Sequence, residues 1–127
     1  MGGVWVKPAI VYPGGHVNCH VDFRTKKEVY LHRIKASIQA QERVSRTLGT
    51  TTATESYTVS ESTVVKPFGE QISEGRSISF DCALPVEADA PATFDSTNNH
   101  LEWEIKLEVE LEGWLGWDKT FPITVLP

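Results

Sequence analysis

The sequence predicts an all-β protein of about seven antiparallel strands folded into a two-layer sandwich. Three observations carry that reading. Residues 101–112 run Leu-Glu-Trp-Glu-Ile-Lys-Leu-Glu-Val-Glu-Leu-Glu, twelve positions of unbroken alternation. Successive strand side chains point to opposite faces, so Leu101, Trp103, Ile105, Leu107, Val109 and Leu111 share one face and the charged residues the other. A strand so long and one-sided requires a second layer over its apolar face. Further runs rich in Val, Ile, Thr and Tyr follow, separated by short Pro, Gly and Asn clusters. Finally, 127 residues with 40% hydrophobic and 23% charged content suffice for one core without metal or disulfide staples, so residues 1–127 read as a single domain.

The elements follow in order. Val4–Tyr12 is a strand interrupted by Pro8, which cannot donate a ladder hydrogen bond and so points to a sheet edge. Tyr12-Pro13-Gly14-Gly15 is a turn, with Pro13 fixing one φ and Gly14 accepting a positive one. From His16 to Phe23, Val17, Cys19, Val21 and Phe23 alternate inward against Asn18, His20 and Asp22. Arg24–Glu28 is a polar connection.

Val29–Arg46 fits two periods. Tyr30, His32, Ile34, Ala36, Ile38 and Ala40 recur every second residue, whereas Leu31, Ile34 and Ile38 have helical spacing and Gly49 suits a helix C-terminus. Thr50–Lys66 is a strand by composition, and Gln71–Leu84 is another, with Ile78, Phe80, Cys82 and Leu84 on one side. The Pro-, Ala- and Asn-containing stretch from Leu84 to Asn99 is a long loop. After the alternating strand come a Gly113–Trp117 turn and a last strand, Lys119–Leu126. Strands with short turns and one long crossing describe an immunoglobulin-like antiparallel sandwich.

The charge of −5 argues against nucleic-acid binding, which needs a concentrated basic surface. No apolar run approaches the roughly 20 residues of a membrane span. The start, Met1-Gly2-Gly3-Val4-Trp5-Val6, lacks the pattern of a secretory signal, and Val6 stands where myristoylation wants Ser or Thr. The expectation is a cytoplasmic protein. Cys19 and Cys82 either bridge the sandwich as in immunoglobulin domains or remain two buried thiols; the expected compartment favours thiols.

Chemical motifs are sparse. His16, Cys19 and His20 resemble a metal set, but on a strand the two histidines lie about 13 Å apart and Cys19 faces away from His20. The acidic row Glu102, Glu104, Glu108, Glu110 and Glu112 has the regular spacing of a solvated face, without the contrasting environments that acid–base pairs need. Basic residues such as Arg33, Lys35 or Lys66 are candidate cross-strand partners for it. No nucleophile elbow, His-Glu-x-x-His, phosphate loop or dinucleotide fingerprint occurs. The expectation is therefore no catalytic residue, metal or cofactor. One stretch stands out: Gly113-Trp114-Leu115-Gly116-Trp117 places Trp114, Leu115 and Trp117 where turn chemistry calls for polar residues. They either cap the end of the core or form an interface anchor, and they are the candidate partner-binding residues.

The order of several segments resembles the arrestin-like family across most of the chain. Tyr12-Pro13-Gly14-Gly15-His16-Val17 is similar to the opening of its second strand, and Leu31–Glu42 to its long strand ending near a Glu. Ile72-Ser73-Glu74-Gly75 leading to Ser79-Phe80, then Leu84-Pro85, Ala90-Pro91-Ala92-Thr93-Phe94 and Leu101–Ile105, match further blocks, and Phe121–Val125 resembles the closing strand. The resemblance implies that residues 29–46 form a strand. Arrestins carry two such sandwiches in tandem, whereas this chain has room for one, so the interdomain polar core and phosphate sensor do not transfer. No Pro-Pro-x-Tyr motif is present, so ubiquitin-ligase recruitment is not implied. The resemblance implies a non-enzymatic protein-binding or scaffolding module in trafficking or regulation, with membrane contact only peripheral. Two alternatives stay open: a small enzyme using His16, His20 or His100 in a loop cluster, and a structural module self-associating through sheet edges.

Overall fold

Alternation sets the strands, and pairing sets their order. The computed structural model describes residues 3–112 and 114–127, with the side chains of Trp114 and Leu115 outside the described set. Nine strands are present among the described residues: β1 (Val4–Lys7), β2 (Ile10–Val11), β3 (His16–Arg24), β4 (Val29–Leu48), β5 (Thr51–Ile72), β6 (Ser77–Pro85), β7 (Phe94–Asp95), β8 (Asn99–Leu111) and β9 (Trp114–Val125). One sheet has the order β1-β3-β6; the other runs β2-β9-β8-β4-β5, with β7 added beside β8. All pairings are antiparallel except the short β2–β9 pair, which is parallel.

The core lies between the sheets. Ile34, Ala36, Ile38 and Ala40 of β4 and Leu101, Trp103, Ile105, Leu107 and Val109 of β8 are buried beneath Val17, Cys19, Val21, Ile78, Phe80 and Leu84 of the smaller sheet. The segment with two periods is thus a strand throughout. Its helical-spacing residues Leu31, Ile34 and Ile38 are all buried, and β8 supplies the partner that makes period two the one that matters: Ile34 faces Val109, Ala36 faces Leu107, and Ile38 faces Ile105.

Several boundaries differ from the sequence expectation. The turn after β4 is Gly49-Thr50, with Gly49 at φ 64°, a left-handed conformation that favours glycine. β5 extends to Ile72 because Pro67 lies on an edge strand, where a missing N–H breaks no ladder. Gln71 therefore belongs to β5, and β6 starts only at Ser77. Beyond Val44, β4 loses β8, so the tip of the β4–β5 hairpin is a two-stranded ribbon with Leu48 exposed; Tyr57 and Val59, also exposed, lie on β5 beside the part of β4 that still pairs with β8.

The expected loop from Leu84 to Asn99 contains the short β7 and fastens to the body. Trp103, 3% exposed, donates its indole N–H to the carbonyl of Pro91 at 2.8 Å, and Thr93 donates its N–H to Val125 O at 2.8 Å. The expected Gly113–Trp117 turn is also corrected. β9 already begins at Trp114, and Gly116 is the extra residue of a β-bulge, since Val109 pairs with Trp117 but Glu110 pairs with Leu115. A Cβ on Gly116 would come within 2.7 Å of Leu111 Cδ1, so the bulge requires glycine there.

Trp103 joins core packing to loop anchoring. Trp103→Ala is expected to cost about 3–5 kcal/mol in denaturant unfolding, from the cavity it leaves. Trp103→Phe, which keeps most of the volume but frees the Pro91 carbonyl, should cost about 1–3 kcal/mol. A loss under about 1 kcal/mol for the alanine variant would contradict this packing.

Candidate functional site

The β3–β4 connection and the β8–β9 hairpin meet at one end of the sandwich. Thr25, 8% exposed, fixes the connection: its hydroxyl donates to Ser73 O at 2.7 Å, and its carbonyl accepts from Gly75 N at 2.8 Å. These bonds hold Lys26 and Lys27 at the surface, both exposed and in no salt bridge among the described residues. Beside them opens an apolar groove of about 340 Å³, lined by Phe23, Val29, Val109, Leu111 and Trp117. A smaller depression of about 240 Å³ adjoins it, where Glu28 and Glu112 join Lys27.

Of the three residues singled out in the sequence, Trp117 lines this groove. It is half-buried and packs against the core, opposite Val109. Trp114 pairs with Leu111 and Leu115 with Glu110 along the backbone, but their side chains lie outside the described residues. Phe23, Val29, Lys26 and Lys27 were not singled out. Their signal was weak, because each is an ordinary core or loop residue until the fold places it beside Trp117.

Glu102, Glu104, Glu108 and Glu110 of the acidic row lie on the outer face of the larger sheet and are partnered, whereas Glu112 lies past the end of β8 beside the groove. Arg33 pairs with Glu110, Gln39 donates to Glu104 at 2.6 Å, and Arg43 lies 3.7 Å from Glu102. Lys106 lies 3.8 Å from both Glu108 and Asp118. The guanidinium of Arg33 holds the Glu110 carboxyl below its ordinary range. Such cross-strand pairs contribute roughly 0.2–1 kcal/mol each and leave a mixed, solvated surface.

The three histidines of the enzymatic alternative are spread over the fold. His16 and His20 lie on β3 and His100 on β8, in different sheets. No group of three potential metal ligands occurs among the described residues. His20 is nonetheless held in a defined way on the outer face of the smaller sheet. Its Nδ1 donates to Asp81 at 2.6 Å and its Nε2 to Asp22 at 2.7 Å, while Trp5 stacks on the ring at 5.3 Å. Gly3 N donates to the other oxygen of Asp22 at 2.8 Å. With a carboxylate on each nitrogen the ring carries both protons. Hydrogen bonds to Asp22 and then Asp81 raise the His20 pKa, and those from Gly3 and His20 lower that of Asp22. The cluster engages both ring nitrogens of His20 and ties β1, β3 and β6 together.

This architecture is an arrestin-like β-sandwich. Among solved structures, the chain is similar to Spo0M, a sporulation control protein from Bacillus subtilis, with a TM-score of 0.70 and 17% sequence identity over 98% of this chain. The match covers 48% of Spo0M, so this chain spans about half the length of that protein. At that identity the likeness shows the fold. No family profile matches the chain, and no curated protein does. No helix among the described residues is long and apolar enough to cross a membrane.

The His20 cluster fixes a pH dependence. A folded pKa above the ordinary 6.5 gives stability that is complete below 6.5 and lost as pH rises through the folded value. Asp22, lowered from 3.8, contributes above 3.8 and ceases to as pH falls further. His20→Asn should therefore lower Tm most near pH ~5 and progressively less toward pH ~9. Thermal melts across that range check it, and a pH-independent difference would contradict the clamp.

Proposed function

We propose that the chain is a non-enzymatic binding module that docks a protein partner at the groove between the β3–β4 connection and the β8–β9 hairpin. The single observation behind this reading is the groove itself. Five apolar side chains, including the half-buried Trp117, line a cleft bordered by two lysines without ionic partners among the described residues. Tryptophans in such half-desolvated positions are enriched among residues that dominate binding energy. A cleft of about 340 Å³ accepts one or two large apolar side chains. Lys26 and Lys27 favour a partner whose apolar anchor is flanked by carboxylates.

Fold-level likeness to a sporulation control protein supports a regulatory rather than chemical role, as an analogy of fold. The alternative of self-association through sheet edges has less support. The long edge strand β5 carries Glu55, Glu61, Lys66, Glu70 and Pro67, residues that discourage edge pairing.

A random peptide library displayed on phage and selected against the intact chain provides the test. Enriched peptides should carry an aromatic or aliphatic anchor beside Asp or Glu. Their binding should shift the backbone amide resonances of Val29, Val109 and Trp117. Lys26→Glu with Lys27→Glu should weaken them by about tenfold or more while Tm changes little, since both positions are exposed. Absence of enrichment, or binding indifferent to these substitutions, would contradict the proposal.

A further inference from the structure

Cys19 and Cys82, the only cysteines of the chain, are directly opposite one another on β3 and β6. They do not face each other across the sandwich, as an immunoglobulin-type bridge would; they are neighbours within one sheet. Directly opposed residues of antiparallel strands have Cα atoms about 4.5–5.5 Å apart, inside the window of about 4.4–6.8 Å that a disulfide accepts. Both are free thiols, and the register sets them side by side on the inner face of the smaller sheet. They differ in environment. Cys19 is 1% exposed, whereas Cys82 is half-buried on an edge strand, which corrects the expectation that both are buried.

We propose that Cys19 and Cys82 form a thiol-oxidation site, at which a low-molecular-weight disulfide such as glutathione disulfide closes a reversible cross-strand bridge between β3 and β6. The asymmetry of the pair sets the order of steps. The neighbouring Cys82, and then burial, raise the pKa of Cys19, while the neighbouring Cys19 lowers that of Cys82. Cys82 therefore ionises first while Cys19 keeps its proton. The Cys82 thiolate attacks one sulfur of the oxidant, its S–S bond breaks, and one glutathione leaves as thiolate. Once Cys82 is capped, its thiolate no longer faces Cys19, so the influence of Cys82 that held the proton on Cys19 is removed. Cys19 then passes its proton to solvent, attacks the Cys82 sulfur and expels the second glutathione. The protein loses two electrons and two protons, and the oxidant becomes two thiols.

The bridge would pin edge strand β6 to the centre of the smaller sheet and enclose the whole β4–β5 hairpin within one covalent loop. Loops of that length restrict the unfolded chain strongly, so oxidation raises Tm.

The experiment treats the reduced, folded chain with glutathione disulfide and reads intact mass, peptide map and Tm. The expected result is a mass lower by two hydrogens, a Cys19–Cys82 crosslinked peptide, a Tm higher by several degrees, and full reversal by dithiothreitol. Cys19→Ala should trap one glutathione on Cys82, and Cys82→Ala should take up none while folded. The proposal is overturned if the folded chain keeps both thiols and reacts only in denaturant. It is equally overturned if glutathione stays on Cys82 of the unsubstituted chain and no crosslink forms.

Discussion

The pairing of β4 with β8 is the constraint on which the rest of the structure depends. β4 is hydrogen-bonded on both sides, to β8 and to β5, and its inner residues Ile34, Ala36, Ile38 and Ala40 lie at the middle of the core. Opposite them stand Val109, Leu107, Ile105 and Trp103. A slip of one residue would turn Glu102, Glu104, Glu108 and Glu110 inward and expose the apolar set. Unpaired carboxylates in a core cost several kcal/mol each, so the register is held by what it excludes as well as by what it buries. β9 then adds to β8, β2 adds to β9, and the three-stranded sheet covers the apolar face that results.

The groove is a consequence of that frame. Val109 and Leu111 lie near the end of β8, where the bulge at Gly116 shifts β9 by one residue and sets Trp117 opposite Val109. The smaller sheet contributes Phe23, and the connection anchored through Thr25 carries the two lysines. The cleft is thus built from two stretches far apart in sequence, residues 23–29 and 109–117, the first anchored through Thr25 and the second shaped by the bulge at Gly116. The His20 cluster and the cysteine pair belong to the other sheet, where β3 joins β1 to β6. They occupy its two faces: His20 on the outer one with Asp22 and Asp81, Cys19 on the inner one opposite Cys82.

Much of the fold was legible because one-sided strands carry their period openly. Residues 101–112 disclosed both the strand and the face it buries, and Val17, Cys19 and Val21 did the same for β3. Residues 29–46 were ambiguous because Ile34 and Ile38 satisfy two periods at once; period two placed Tyr30 and His32 on their face, but a bulge between Leu31 and Arg33 buries Leu31 there and leaves His32 exposed. The length of β5 was hidden because its outer half packs on nothing, so its Thr- and Ser-rich sequence has no apolar alternation to mark an end. For the site, Trp117 could be noticed because tryptophan is unusual beside glycine, but Phe23 and Val29 look like any core residues. Alternation placed both cysteines inward yet could not say that they belong to the same sheet. His20 and Asp22 share a face by spacing alone, whereas Asp81 reaches them only through the β3–β6 register.

Native-state hydrogen exchange followed residue by residue tests the central role of the β4–β8 pairing most directly. If the pairing holds the fold, amides of residues 34–40 and 103–109 exchange only through global unfolding, and their exchange free energies equal the unfolding free energy from denaturant. Amides of the protruding ribbon, residues 46–53, exchange by local opening and much faster. Slower exchange in β1, β3 and β6 than in β4 and β8 would contradict the account, because the smaller sheet would then outlast the pairing said to support it.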